Sequence, residues 1–147
     1  SWRGVVALVV ALGLAIAMAD LAAGIFKHQG PLADLWPSFP ARLRPMHTSE
    51  GLDFAANGYY TNYIYGTVSG HTATIVAIAL LTSVVVRRAW FSVLIWTVAT
   101  LVCYSRIYLA CHFPQDILLG AGVGIVSGVL GVFIFNAVVA LRLKRKG

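Results

Sequence analysis

The chain has 147 residues, of which 59% are hydrophobic and 11% are charged, and its formal net charge is +6. Soluble domains usually carry about 25% charged residues, so this composition argues against a soluble domain and favours a membrane protein. The positive charge does not predict a nucleic-acid partner, because the basic residues gather at the ends of apolar runs.

Four apolar runs predict four transmembrane helices, at residues 4–26, 71–86, 89–111 and 117–141. The first run is apolar except for Asp20. Only helices and closed barrels can cross a bilayer, and these runs are too long and alternate too little for barrel strands. The predicted fold class is therefore all-α, a polytopic membrane helical bundle, with residues 1–147 forming a single membrane-embedded domain.

The distribution of Lys and Arg predicts the topology, because basic residues collect on the cytoplasmic side of membranes. On a four-pass path, one side receives Arg3, Arg87, Arg88, Arg142, Lys144, Arg145 and Lys146. The other side receives the corner at 105–116 and a long loop at about 27–70. We therefore expect both termini to be cytoplasmic and the loop to face outward.

The outward loop holds four of the five prolines and the tyrosine- and asparagine-rich stretch NGYYTNYIYG at 57–66. Trp and Tyr prefer the headgroup layer, so the tyrosines and Trp36 favour an aromatic belt over contact with a substrate. The same loop carries Arg42 and Arg44. Arginine forms forked hydrogen bonds to phosphate, although two arginines in a loop are more often simply solvated.

Residues 67–76, TVSGHTATIV, predict the start of the second helix. Ser69 is a favoured N-cap, and Gly70 allows a ligand to approach the backbone closely. The first turn of a helix presents free N–H groups and a positive dipole end, which suit a phosphate. His71 would lie within reach of an anion held there; the alternative is an ordinary histidine at the membrane interface.

Residues 104–120, YSRIYLACHFPQDILLG, place ionisable side chains between two apolar helices, and such residues at membrane depth indicate function. Pro114 predicts that the third helix ends near His112 and that the fourth begins just after it. His112 and Asp116 then face each other, and the carboxylate would fix the tautomer of the imidazole. The alternative is a structural Asp–His pair that only ties two helices together.

Together these segments supply two histidines, an aspartate, several arginines and a helix start on one side of the membrane. That set predicts phosphoryl transfer, with a nucleophile, an acid and a cationic clamp for phosphate. We expect no cofactor and no metal, because the sequence offers no acidic cluster suited to magnesium. The residues alone do not indicate which histidine attacks, although His112 has a carboxylate nearby in sequence.

These segments resemble the three motifs of the type 2 phosphatidic acid phosphatase superfamily, K-x6-R-P, P-S-G-H and S-R-x5-H-x3-D. The third motif is intact in Ser105-Arg106, His112 and Asp116. The second is present as Val68-Ser69-Gly70-His71, with Val in place of Pro. The first survives as Arg44-Pro45.

The lysine of the first motif is displaced. Pro37 stands at the expected position, and the nearest upstream lysine is Lys27, on the far side of an apparent insertion. Either Lys27 folds back into the site, or Arg42 substitutes for it. On spacing alone Arg44 is better placed than Lys27, so truncating Lys27 should cost less activity.

The resemblance implies a role for each residue. His112 would form a phosphohistidine, Asp116 would orient it, and His71 would protonate the leaving oxygen. The phosphate would be held by Arg44, Arg106, Ser69 and the Gly70 backbone, with Lys27 or Arg42 as a further cation. The family core usually has six helices, so by the resemblance the four predicted here leave two N-terminal helices unaccounted for, which either lie outside the given sequence or are lacking in the protein.

The predicted function is an integral-membrane lipid phosphatase that needs no metal, with its site on the outer face of a bacterial inner membrane. Its partners would be membrane lipids, and isoprenyl pyrophosphate, phosphatidylglycerol phosphate and phosphorylated lipid A all fit as substrates. One alternative is a phosphotransferase that passes the phosphoryl group to another lipid. The other is a non-catalytic membrane scaffold or transporter subunit with a degenerate site, which the displaced lysine and Val68 leave open.

Overall fold

A computed structural model of the chain describes residues 1–48 and 63–145. They form four α-helices, α1 (Trp2–Ile25), α2 (Gly70–Val86), α3 (Ala89–Tyr108) and α4 (Pro114–Lys144), and a short 3-10 helix at Pro45–His47. Within those two ranges extended pairing is confined to one isolated bridge, between Leu43 and Tyr65. The prediction of an all-α fold is confirmed. Most of the tyrosine-rich stretch at 57–66 lies outside the described residues.

Three of the helices, α1, α3 and α4, are long and apolar enough to cross a membrane. The apolar helix α2 is shorter, with 17 residues, and at 1.5 Å per residue it spans about 26 Å, close to the ~30 Å of a hydrocarbon core. The prediction that the third helix ends near His112 was about four residues too long. It ends at Tyr108 because Ala110 takes a left-handed conformation, with φ of 56°.

Small residues bring α1, α2 and α4 close together. On α1 an alanine recurs every fourth residue, and each is fully buried: Ala7, Ala11, Ala15, Ala19 and Ala23. On α4 four glycines face neighbouring helices, namely Gly120, Gly124, Gly128 and Gly131. Helices in lipid associate by such close backbone contact, because lipid is as apolar as the side chains. By contrast α3 packs mainly on α2 and exposes most of its apolar side chains.

The glycines of α4 give a first testable prediction. A Cβ at Gly120 would lie 2.6 Å from the Ser69 carbonyl oxygen, and one at Gly124 would lie 2.6 Å from the Ala73 carbonyl oxygen. Because neither backbone can yield easily, Gly120→Ala and Gly124→Ala should each cost about 1–3 kcal/mol through overpacking. The matched control is Gly122→Ala on the same helix, where the added Cβ meets no described atom within 4 Å. Thermal unfolding in detergent measures the difference, and equal melting temperatures for the three variants would contradict the packing.

Candidate active site

A cavity of about 320 Å³ opens where α1 ends, α2 begins, and α3 turns into α4. The helices contribute Asp20, Gly70, His71, Thr74 and Arg106 to its lining. The connecting segments contribute Lys27, Gln29, Arg44, Tyr63, Cys111 and His112. Segments of all three sequence motifs therefore meet at one cavity, although they are far apart along the chain.

His112 is fixed in the cavity wall by its two ring nitrogens. Nδ1 lies 2.9 Å from the Gly66 carbonyl oxygen. Because a carbonyl can only accept, Nδ1 carries the hydrogen and donates it. Nε2 is then the unprotonated nitrogen, and Arg44 Nη1 lies 3.3 Å from it. This arrangement leaves on Nε2 the lone pair that a nucleophile needs.

The environment of His112 keeps its ring neutral. The side chain is 2% exposed, and burial lowers the pKa of His112 below its usual value, with Arg44 acting in the same direction. Asp116 and the Gly66 carbonyl act in the opposite direction without overcoming the burial. A neutral imidazole near pH 7 is the form that can attack phosphorus.

Asp116 supports His112 less directly than the sequence predicted. Its Oδ2 accepts a hydrogen bond from the Phe113 N–H at 2.9 Å, which caps α4. The same oxygen is 3.7 Å from His112 Nδ1, beyond hydrogen-bond length. The Gly66 carbonyl is therefore the primary partner of His112, and the fully buried Asp116 carboxylate adds a negative charge behind it.

Arg42 lies outside the cavity. Its Nη2 donates to Asp116 Oδ1 at 2.8 Å, and its Nη1 donates to Gln115 Oε1. The structure therefore does not bring Arg42 to the cavity, where one alternative placed it as a replacement for the displaced lysine. The physical reason is the buried carboxylate at the start of α4, which binds the guanidinium on the other side of His112.

Arg44 is held by backbone carbonyls and is 7% exposed. Its Nε donates to the Tyr63 carbonyl at 2.6 Å, and its Nη1 donates to the Cys111 carbonyl at 3.2 Å. The segment that carries it pairs with the segment after Tyr63, through an Arg44 N–H bond to the Ile64 carbonyl at 2.8 Å. The guanidinium is thus oriented before any ligand binds, and it faces both the cavity and His112.

Lys27 reaches the cavity because of the way α1 ends. The Gln29 N–H bonds to the Gly24 carbonyl at 2.9 Å while His28 adopts a φ of 52°, which is the pattern of a Schellman motif. A Cβ at Gly24 would lie 2.3 Å from the Gln29 carbonyl oxygen, so the turn requires glycine there. The turn sends Lys27 back toward Gly70, and the lysine is 8% exposed.

The insertion after Lys27 closes on itself as a side loop, defined here as residues 29–38. His28 Nε2 donates to the Phe39 carbonyl at 2.9 Å and joins the two ends of the loop. The rings of Phe26, Trp36 and Phe39 pack together with centroids 5.0–6.3 Å apart. Because the side loop leaves and returns at nearly the same point, Lys27 and Arg44 share one cavity despite their separation in sequence.

Ser69 and Gly70 lie side by side at the start of α2 but have different surroundings. Ser69 is fully buried, its Oγ accepts from the Thr72 N–H at 3.2 Å, and it caps α2 as expected. Ser69 is not among the residues that line the cavity, so the structure does not bring it to the site where the resemblance placed it, and its contact with phosphate stays a prediction. Gly70 and His71 do line it. Val68 is buried against α1 with Ala19 and Ala23.

The family model of the PAP2 superfamily matches residues 7–140. The chain belongs to the PAP2 superfamily. It is 37% identical over 110 residues to a lipid A 4'-phosphatase of Porphyromonas gingivalis. The aligned residues make up 74% of this chain and 45% of that protein. It is 30% identical over 142 residues to a lipid A 4'-phosphatase of Bacteroides thetaiotaomicron, covering 95% and 59% respectively.

A lipid A 1-phosphatase of P. gingivalis is 40% identical over 99 residues, covering 66% of this chain and 19% of that protein. This PAP2 chain therefore spans less than two thirds of the length of these relatives. No solved structure matches it.

Two features of the candidate site were not predicted from the sequence. The first is Gly66, whose carbonyl orients His112 and whose Cβ, if present, would lie 2.9 Å from Arg44 Cγ and 3.2 Å from His112 Nδ1. A backbone acceptor leaves no trace in a side-chain pattern. The second is Asp20, which lines the cavity. Its signal was present, since it is the acid that interrupts the first apolar run.

The charges around the PAP2 cavity are mostly cationic. Lys27, Arg44 and Arg106 line it together with the two histidines. Burial, reinforced by Arg44, lowers the pKa of Lys27 to about 8, although Asp20 acts in the opposite direction. Among residues 1–48 and 63–145, no group of three or more His, Cys, Asp or Glu side chains is placed to hold a metal ion. The arrangement suits a multiply charged anion.

Proposed function

We propose that this PAP2 protein is a lipid phosphatase that removes a phosphate group from lipid A through a phosphohistidine formed on His112. The observation that carries the proposal is the unprotonated Nε2 of His112 in a cavity lined by three cationic side chains. Two of the relatives are lipid A 4'-phosphatases, which favours phosphorylated lipid A over isoprenyl pyrophosphate and phosphatidylglycerol phosphate.

In the proposed first step, Lys27, Arg44 and Arg106 bind the phosphate oxygens, and the first-turn N–H groups of α2 contribute a positive dipole end. His112 Nε2 attacks phosphorus and forms the P–N bond while the P–O bond to the lipid breaks. His71 donates a proton to the departing lipid oxygen. Arg44 already contacts Nε2 and moves only from the nitrogen to an oxygen of the transferred group.

In the second step a water molecule attacks the phosphohistidine, and the neutral His71 accepts its proton. The P–N bond breaks, inorganic phosphate leaves, and His112 regains its lone pair. A lipid hydroxyl in place of the water would make the protein a phosphotransferase with the same residues. Product analysis distinguishes the two outcomes.

The proposal is tested with the purified protein and a panel of lipids in mixed micelles. The panel contains lipid A with both phosphates, lipid A lacking one of them, phosphatidylglycerol phosphate and an isoprenyl pyrophosphate. We expect loss of one phosphate from lipid A by mass spectrometry, with an equal amount of inorganic phosphate released. No release from any lipid by a folded, monodisperse protein would favour the non-catalytic scaffold instead.

We expect the activity to be independent of divalent metal, because arginine and lysine supply the positive charge that a metal would otherwise bring. Phosphate release should remain within about twofold after incubation with a chelator. Vanadate should inhibit, because it adopts the geometry of a phosphoryl transition state. Loss of activity in the chelator that magnesium restores would contradict this prediction.

The proposed location is an inner membrane with the cavity facing the periplasm or the cell exterior. The cavity lies at the opposite end of the bundle from Arg87, Arg88 and the basic end of α4, and basic residues favour the cytoplasmic side. A tag inserted within 48–58 should react with an impermeant reagent in intact cells, whereas one after Gly147 should not. The reverse pattern would place the cavity in the cytoplasm.

A further inference from the structure

An acidic side chain faces the cationic cavity from a membrane helix. Asp20 is the one acid within α1, and it lines the same cavity as Lys27, seven residues further along the chain. A Cβ added at Gly70 would lie 3.0 Å from Lys27 Nζ and 3.7 Å from Asp20 Oδ1. The ammonium and the carboxylate therefore converge on the same face of Gly70, at the start of α2.

An acid at this place needs a physical explanation. An ionisable residue in an apolar helix is costly, and a carboxylate beside a phosphate site repels the substrate. Asp20 is the sole acid among the described residues that line the cavity. The free-energy cost of the Asp20 carboxylate is offset if its negative charge stabilises a group that the reaction needs.

Lys27 is that group. It is buried and faces Arg44 from the connecting segment, His71 from α2, and Arg106 and His112 from the α3–α4 corner. All of these are cationic or can become so, and Arg44 in particular disfavours the ammonium before any substrate is bound. Asp20 is the described carboxylate that faces Lys27 in the cavity.

We propose that Asp20 is a positioning residue, whose carboxylate keeps the Lys27 ammonium charged and directed at the phosphate site until the substrate arrives. The inference rests on the proposed phosphatase function. It assigns no contact between Asp20 and the reacting atoms. Asp20 acts on the reaction through Lys27 alone.

The first experiment measures Lys27 without any substrate. The sequence contains three lysines, Lys27, Lys144 and Lys146, so carbon-13 at the lysine ε position gives a spectrum simple enough to assign with a Lys27→Arg variant. Asp20→Asn should lower the pKa of Lys27, because a removed negative charge disfavours the ammonium. Asp34→Asn is the matched control: it removes the same charge from the exposed side loop and should leave the titration unchanged.

The second experiment measures kcat/KM for lipid A against pH. In the wild type, kcat/KM should fall as the pH rises through the pKa of Lys27, about 8, and Asp20→Asn should move this fall to lower pH. A roughly threefold additional loss at pH 9 corresponds to a shift of about half a pH unit. In a Lys27→Arg background Asp20→Asn should have no such effect, because arginine stays charged throughout.

The two readouts separate failure of the inference from failure of the proposed function. A shifted Lys27 titration without turnover of any lipid would retain the Asp20–Lys27 pair and reject the phosphatase. The role of Asp20 would be overturned if the protein turns over lipid A but Asp20→Asn changes neither the Lys27 titration nor the pH profile of kcat/KM. An equal pH shift in the Lys27→Arg background would also overturn it.

Discussion

Replacing His112 by alanine is expected to reduce phosphate release on the order of 10⁴-fold or more, because the nucleophile of a covalent mechanism has no substitute. The protein should stay folded. The His112 side chain contacts the Gly66 carbonyl and the Arg44 guanidinium at the cavity wall, and it lies outside the apolar core clusters of the described residues. Phosphate release in detergent and the thermal unfolding of both proteins measure the two parts of the prediction.

A comparison with His71→Ala separates the nucleophile from the acid. With p-nitrophenyl phosphate, whose leaving group needs no proton, His71→Ala should recover much of its activity, whereas His112→Ala should recover none. Rapid quenching of the wild type should trap a phosphoprotein that is labile to acid and stable to alkali, as a phosphohistidine is. A His112→Ala variant that kept most of its rate, or the same label in that variant, would assign the attack to another residue.

Arg44→Ala is expected to cost about 2–5 kcal/mol of transition-state stabilisation, the range for removing one partner of a buried charge pair. Arg44 contacts His112 Nε2 and is buried with its guanidinium held by two carbonyls. Arg44→Lys should recover little, because an ammonium cannot reproduce the planar fork of donors. The measured quantity is kcat/KM for lipid A.

Lys27→Ala should cost nearly as much as Arg44→Ala, which reverses the expectation from spacing. The structure places Lys27 in the cavity, 8% exposed, and leaves Arg42 outside it on Asp116. Arg42→Ala is therefore the matched control and should cost clearly less than either. A large loss at Arg42 with little change at Lys27 would show that Arg42 takes the place of the lysine after all.

The helices could be predicted from the sequence because their causes are local. A membrane helix satisfies its own backbone, so an apolar run with Pro or Ser at its start carries enough information. Ser69 and Pro114 mark the starts of α2 and α4 as predicted. The end of α3 was placed too late because Ala110 adopts a left-handed turn that no glycine or proline announces.

The cavity could be predicted only where its residues are close in sequence. His112 and Asp116 share a corner, but the carbonyl that accepts from His112 Nδ1 lies 46 positions away, and the arginine that donates to Asp116 Oδ1 lies 74 positions away. Such contacts depend on how the segments at 42–44 and 64–66 pair, and these segments have no periodicity to read. The position of Lys27 depends on the Schellman turn between Gly24 and Gln29, and the sequence predicted an apolar helix up to residue 26 but no turn after it.

Because His28 bonds to the Phe39 carbonyl, the number of residues between them has little effect on how Lys27 and Arg44 are placed in the cavity. Residues 29–38 begin and end at this bond, so adding residues to the loop away from the packed ring of Trp36 changes mainly a loop-closure entropy, about 0.6 kcal/mol for a doubling of length. A fluorophore or an affinity peptide could therefore be inserted into this loop while Lys27 and Arg44, the two cations proposed to bind the phosphate, keep their separation. The number of residues between Lys27 and Arg44 in the sequence therefore does not determine the distance between their side chains in the cavity.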